Sequence, residues 1–185
     1  MDISSEQAHD VRFRAAELED IPALQTLIEL SVRSLSREDY TERQIEAALR
    51  SAWGVDTQLI RDRSYFAGAH AGQLVACGGW SFRRTLFGSD AQHDREPETL
   101  DPACEAARVR AFFIHPDWAR RGLARKLLER CESEARARGF RRAALVATLL
   151  GERLYRACGY ISEGARSYPL PDDESILFVP MHKPL

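Results

Sequence analysis

The stretch Arg108–Leu128 reads as a strand, a short loop and a helix, and it limits the possible folds more than any other part of the chain. RVRAFFI at Arg108–Ile114 is apolar and strand-prone, and His115-Pro116 stops it because the residue before a proline is kept extended. The following helix carries Leu123, Ala124, Leu127, Leu128, Cys131 and Ala135 on one face, and Gly139 ends it. The turn between them holds Arg120-Arg121-Gly122-Leu123-Ala124. Unbonded N–H groups at a helix start, together with the positive end of the helix dipole, make an anion site. Gly122 removes the Cβ that would keep a diphosphate from those amides, and small Ala124 permits close packing. Arg120, Arg121 and Arg125 add fork-shaped donors suited to phosphate oxygens. Arg108–Arg142 contains ten arginines and Lys126 against Asp117, Glu129, Glu132 and Glu134, a net of +7 in a chain whose formal charge is −2. Taken by spacing alone, the turn serves equally well as a glycine-tightened corner under a solvated arginine face.

The remaining elements follow from period and punctuation. Val11–Ala15 alternates as a strand, and Asp20 is expected to cap a helix carrying Ile21, Leu24, Leu27, Ile28 and Ser31 to Leu35 on its face. Thr41 and Gln44 form a capping box before a second helix, and Thr57–Arg63 gives another short helical turn. Tyr65–His70 and Gln73–Ser81, joined by Ala71-Gly72, read as a hairpin. Arg83–Ala106, with Pro97 and Pro102, lacks a sustained period and reads as a long loop. Ala143–Ala147 is a short apolar strand, Glu152–Ala157 a helix ended by Gly159, and Tyr160–Tyr168 and Ser175–His182 are closing strands around Pro171-Asp172-Asp173. The expected architecture is α/β: one domain over residues 1–185, a mixed sheet and helices on both of its faces.

The 185 residues, 44% hydrophobic and 29% charged, suffice for one self-supporting core. A charge of −2 gives no global field to recruit nucleic acid or anionic membrane. No apolar run approaches the ~18 residues of a span, and Met1–Asp10 lacks an apolar leader core, so the expectation is a cytoplasmic protein. Cys77, Cys104, Cys131 and Cys158 are each 27 residues from the next, but their flanks do not align and no CxxC pair or Cys/His knuckle occurs. They read as reduced thiols, and no metal site is expected.

Phe112–Leu128 as a whole, FFIHPDWARRGLARKLL, resembles motif A of the GNAT superfamily of N-acetyltransferases, Q/R-x-x-G-x-G/A at the helix after the fourth strand. LYRACGY at Leu154–Tyr160 is similar to that family's second landmark, an aromatic Y-x-x-x-G-F/Y segment. The resemblance covers nearly all of the chain and implies a mostly antiparallel central sheet of about seven strands, with acetyl-CoA as donor. It implies that backbone groups of Phe113, Ile114 and His115 follow the pantetheine arm. Amides of Ala119, Arg120, Arg121, Gly122, Leu123, Ala124 and Arg125 would then surround the diphosphate. Tyr155 matches the position that protonates the leaving CoA thiolate. Ala119 stands where the pattern prefers Gln or Arg, and Thr148 and Gly151 replace residues that are commonly Asn and Ala.

The attacking amine must lose a proton, and many relatives keep a glutamate early in the fourth strand, where this chain has Arg108-Val109-Arg110. Asp101, Glu105 and His115 are the nearest alternatives, and the base stays unassigned. Gly88–Ala106 carries Asp90, Asp94, Glu96, Glu98, Asp101 and Glu105 against Arg95, which suits either an acidic mouth for a cationic amine or an ordinary solvated loop. Tyr40, Trp53, Trp80 and Phe82 fit an acceptor pocket or the core. The implied acceptor is a small-molecule or peptide amine, and a homodimer fits the family's habit of pairing last strands. Two readings remain: an N-acetyltransferase working in a ternary complex, and an acyl-CoA-binding or sensing module of the same fold.

Overall fold

The computed structural model describes residues 10–85, 88–91 and 98–185. Strand β1 (Arg12–Ala15) leads through a 3-10 turn at Leu18–Asp20 into helices α1 (Ile21–Leu35), α2 (Glu42–Leu49) and α3 (Thr57–Arg61). Strands β2 (Tyr65–His70), β3 (Gln73–Ser81) and β4 (Ala107–Ile114) follow, then a 3-10 turn at Pro116–Trp118 and helix α4 (Leu123–Ala137). Strand β5 (Arg142–Ala147), helix α5 (Leu149–Ala157) and strands β6 (Ile161–Ser162), β7 (Arg166–Pro169) and β8 (Ser175–Pro184) complete the chain. The sheet order is β1-β2-β3-β4-β5-β8-β6, with β7 also paired to β8. Every junction is antiparallel except β4–β5. No helix among the described residues is long and apolar enough to cross a membrane.

Two local expectations need correcting. Asp20 is not a side-chain cap: it already has helical angles (φ −76°, ψ −14°). Its carboxylate turns back to accept the Glu17 amide at 2.8 Å and the Arg14 guanidinium at 2.6 and 2.7 Å. The segment expected as one strand over Tyr160–Tyr168 is two, because Gly164 adopts φ +86° between β6 and β7. The sheet therefore has eight strands where about seven were expected. The Thr41–Gln44 capping box is present at α2. The β2–β3 turn has positive φ at both Ala71 (46°) and Gly72 (83°), as a tight right-twisting hairpin requires.

Strand alternation sends side chains to two cores. Leu24, Ile28, Trp53, Leu59, Phe113 and Phe178 pack under α1–α3 on one face. On the other, Phe66, Trp80, Leu123, Leu127 and Phe140 pack beneath α4, while Leu128, Leu145, Tyr155 and Met181 join α4 to α5. The aromatic quartet is accordingly divided, with Tyr40 and Trp53 against Phe178 on the first face and Trp80 against Phe82 on the second. Glu132, on the apolar side of α4, is buried because Lys183 reaches both its oxygens at 2.9 Å and ties β8 to that helix.

Midway along β4 the ladder slips. Arg110 pairs with Gly79 and Phe113 with Cys77, so Ala111 and Phe112 together face the single residue Gly78. Ala111 takes φ +56°, and the Phe112 ring fills the space a Gly78 Cβ would occupy, 2.6 Å away. The bulge is fixed from the α1–α3 side. The Tyr65 hydroxyl donates to the Ala111 carbonyl at 3.0 Å, and Arg110, 6% exposed, pairs with the wholly buried Asp56 at 2.8 Å and donates to the Gly88 carbonyl at 2.9 Å. Asp56 also caps α3 through the Gln58 amide. Replacing Arg110 by methionine keeps the length but removes the cation that faces a buried carboxylate, and unfolding free energy is expected to fall by about 3–5 kcal/mol. Urea denaturation measures this, and adding Asp56→Asn to the same chain is expected to restore part of the loss.

Candidate active site

Helix α4 begins without a side-chain cap. Thr41, Asp56 and Thr148 close the starts of α2, α3 and α5 with their own oxygens, whereas the position before α4 is Gly122. The first backbone bond in the helix runs from Lys126 to the Gly122 carbonyl, 3.1 Å, so the amides of Leu123, Ala124 and Arg125 precede any acceptor within it. The approach to the helix is bent to present them. Ala119 is extended, Arg120 has φ +62° and Gly122 φ +82°. A Cβ on Gly122 would meet nothing within 4 Å, so the glycine serves the backbone angle and leaves the front of the turn open. Arg120 and Arg125 are exposed at its rim, and Arg121 lies over the Trp118 ring at 5.1 Å. Trp118 in turn packs on His70, with centroids 4.7 Å apart. Such an arrangement can hold an oxyanion by backbone dipoles backed with guanidinium charge.

Strands β4 and β5 pair only at Ala107–Ala143 and Arg108–Ala144, then part, leaving a notch that widens toward the start of α4. Of the three residues expected along the pantetheine arm, Phe113 and His115 are engaged with β3 and the turn that follows β4. Phe113 pairs with Cys77 on β3. The His115 amide donates to the Val75 carbonyl, its carbonyl accepts from Trp118, and its Nδ1 accepts from the Asp117 amide. Ile114 faces the notch, and its amide donates to Ser31 Oγ of α1 at 3.2 Å. Alternation along the strand turns the Phe112 amide the same way.

Tyr155 projects from α5 on the far wall of the notch. It is 7% exposed, edge-on to Phe112 (6.3 Å) and Tyr160 (5.7 Å). Burial holds its phenol well above the ordinary value, so the hydroxyl keeps its proton throughout the neutral range. The two departures from the familiar pattern have local reasons. Thr148 accepts the Gly151 amide at 3.0 Å, and a Cβ on Gly151 would stand 3.0 Å from that Oγ and 3.4 Å from the Tyr155 ring. A small residue there leaves the tyrosine its place.

The carboxylates considered as bases are not brought to this point. Glu105 is held by Arg84 at 2.6 Å and accepts the Asp101 amide, and Asp101 accepts from Ala103. Both precede β4 at the end where β4 and β5 are joined, which puts them on the order of 20 Å along the strand from Ile114. On the α1–α3 face there is a cavity of about 300 Å³ bounded by Ile28, Glu29, Leu49, Trp53, Ser89 and Asp90. Asp90 accepts the Thr57 amide and hydroxyl, at 3.0–3.1 Å. It is thus the acidic-loop member that reaches this face, while Asp94 and Glu96 lie outside the described residues. Tyr40 belongs to the core: its hydroxyl donates to Leu177 and accepts from Leu149, and burial pushes it up to about 12. Sequence reasoning missed Ser31, whose signal is a hydroxyl in an apolar stripe, and the bulge at Ala111 and Phe112, which no glycine on β4 announces.

A family model described as acetyltransferase (GNAT) family matches residues 24–160. Among solved structures, a GCN5-related N-acetyltransferase (aminotransferase, class-II) from Rhodopseudomonas palustris is 18% identical, covering 95% of this chain and 96% of its own, with a TM-score of 0.69. The PaiA N-acetyltransferase of Thermoplasma acidophilum, solved with coenzyme A, is 12% identical over 95% and 99% of the two chains, TM-score 0.61. An N-acetyltransferase from Staphylococcus aureus Mu50 is 14% identical over 93% and 96%, TM-score 0.60. At these identities the likeness is one of fold. No curated protein matches the sequence.

Proposed function

The chain belongs to the acetyltransferase (GNAT) family, and on that premise we propose that it transfers an acetyl group from acetyl-CoA to a primary amine by direct attack in a ternary complex. The observation that carries the reading is the conjunction at one end of β4: an uncapped, arginine-rimmed helix start, a notch between parting strands, and a protonated phenol on its far wall. The diphosphate would rest on the amides from Ala119 to Arg125, and the pantetheine arm would follow β4 at Ile114. The Phe112 amide would donate to the thioester carbonyl as negative charge develops there.

In the reaction an ammonium proton first leaves to water, the neutral amine nitrogen forms a bond to the carbonyl carbon, and the carbon–sulfur bond breaks as a second proton leaves that nitrogen and, through water, neutralises the departing sulfur. Losing the first proton at pH 7 costs about 4.6 kcal/mol for an ordinary alkylammonium. Glu29 and Asp90 border the cavity on the side from which the amine would come, a setting that suits a cationic acceptor. Tyr155 then meets the departing thiolate. Because burial strengthens the phenol's hold on its proton, its contribution is a hydrogen bond to sulfur in the transition state rather than complete transfer.

The rival, an acyl-CoA-binding module without turnover, draws support from Arg110 standing on β4 near the place where relatives keep a carboxylate. Release of free thiol from acetyl-CoA, followed across polyamines, aminoglycosides, amino acids and peptide N-termini, decides between them. At least one class is expected to exceed the hydrolysis background by about a hundredfold, the low end of what a positioned acid or base contributes. Tight donor binding with no release in any class would favour the module.

A further inference from the structure

The apolar stripe of α1 runs Leu24, Leu27, Ile28, Ser31 and Val32, all buried. Ser31 is its one hydroxyl, and a buried hydroxyl is tolerated only where it is bonded. Its partner lies in the notch: Ser31 Oγ accepts the Ile114 amide at 3.2 Å. That amide is turned away from β3, whose own pairing is taken up by Phe113 and by the His115 bond to Val75. Beyond Arg108, β5 no longer runs beside β4 to accept it. The exposed edge of a strand needs an acceptor, and α1 supplies one from across the face.

Resting on the donor-site reading above, we propose that Ser31 is a competitor for acyl-CoA, an internal acceptor that occupies the Ile114 amide and that the pantetheine arm must displace. An arm lying along β4 offers amide carbonyls as the missing strand partner, and one N–H cannot serve two acceptors in good geometry. The apparent donor affinity is therefore reduced by the fraction of molecules in which Ser31 holds the amide. The nucleotide end, seated at Gly122, makes no use of that amide and is indifferent to it. Ser31 sets how tightly the arm is held and thereby how readily CoA leaves after transfer.

The test is calorimetric titration of the full chain and of Ser31→Ala with two probes: CoA, and adenosine 3′,5′-diphosphate, which keeps phosphates but has no arm. Ser31→Cys, nearly isosteric with a weak sulfur acceptor, is carried in parallel in case the alanine variant folds poorly. Ser31→Ala is expected to bind CoA about three- to tenfold more tightly, the equivalent of one ordinary hydrogen bond, and the nucleotide unchanged. Ser31→Cys should fall between. Unchanged or weaker CoA binding overturns the proposal, and so does an equal change for both probes, which would mean that the helix acts through the fold. If the unsubstituted protein binds neither probe, the donor-site reading itself falls and takes this inference with it. Normal binding without the gain removes the inference alone.

Discussion

Gly122→Glu is expected to remain folded and to lose acetyl-CoA binding by at least about a hundredfold. The fold survives because a side chain at this position meets nothing within 4 Å. The remaining cost is a left-handed backbone angle, about 1–2 kcal/mol, against a usual total of 5–15 kcal/mol. Binding is expected to fail because the added carboxylate would stand at the positive end of α4 and satisfy the amides proposed to hold the diphosphate. It also opposes the incoming charge. Two unit charges 4 Å apart near a protein surface repel by about 4 kcal/mol, and a hundredfold in affinity requires only about 2.7 kcal/mol. Gly122→Ala separates the two effects: it shares the backbone cost without the charge, and its loss should be several-fold. Circular dichroism checks the fold and calorimetry the affinity. Near-normal binding by the glutamate variant would place the donor elsewhere and end the acetyltransferase reading of this turn.

Tyr155→Phe is expected to lower acetyl transfer by about 10²-fold, the lower range for a positioned proton donor, with acetyl-CoA affinity within about twofold of the parent. The ring keeps its edge-on contacts with Phe112 and Tyr160, so the wall of the notch stands. What would disappear is the one O–H proposed to meet the sulfur as charge develops there. Because burial already keeps the phenol protonated beyond the neutral range, the deficit should be uniform from pH 6 to 9. A deficit that closed as pH rose would mean that the phenol loses its proton in that range, and one that widened would mean that it acts as a base. The measurement is thiol release at saturating donor, using the amine that performs best with the parent. Undiminished release would remove Tyr155 from the chemistry.

What the chain discloses by itself is whatever depends on neighbours in sequence. The hairpin of β2 and β3, the Thr41–Gln44 box and the stripe of α4 are each written within one short continuous segment. The helix start at Gly122 is legible for the same reason. Features that depend on distant partners are silent. Ala111 takes a left-handed angle because Tyr65 holds its carbonyl and Gly78 yields to the Phe112 ring, and nothing beside Ala111 foretells either. Glu132 looks like a solvated helix residue until Lys183 arrives from the last strand. Asp20 has the composition of a cap, but Arg14 and the Glu17 amide claim its carboxylate first. The divided aromatic quartet shows that residue type alone cannot tell the two faces of a sheet apart.

The two-pair junction between β4 and β5 has a consequence for assembly. Strands β1 to β4 form one antiparallel set, and β5 with β8 forms a second. The sets meet through a parallel contact that must await the whole of α4, and two residue pairs give little reward for that delay. Side chains of α4, β5 and β8 and the Lys183–Glu132 pair hold the two sets together from the faces, so within the sheet itself the strand seam is the place of least local stability. A donor lying along it would bridge both sets, slowing their separation more than it speeds their docking.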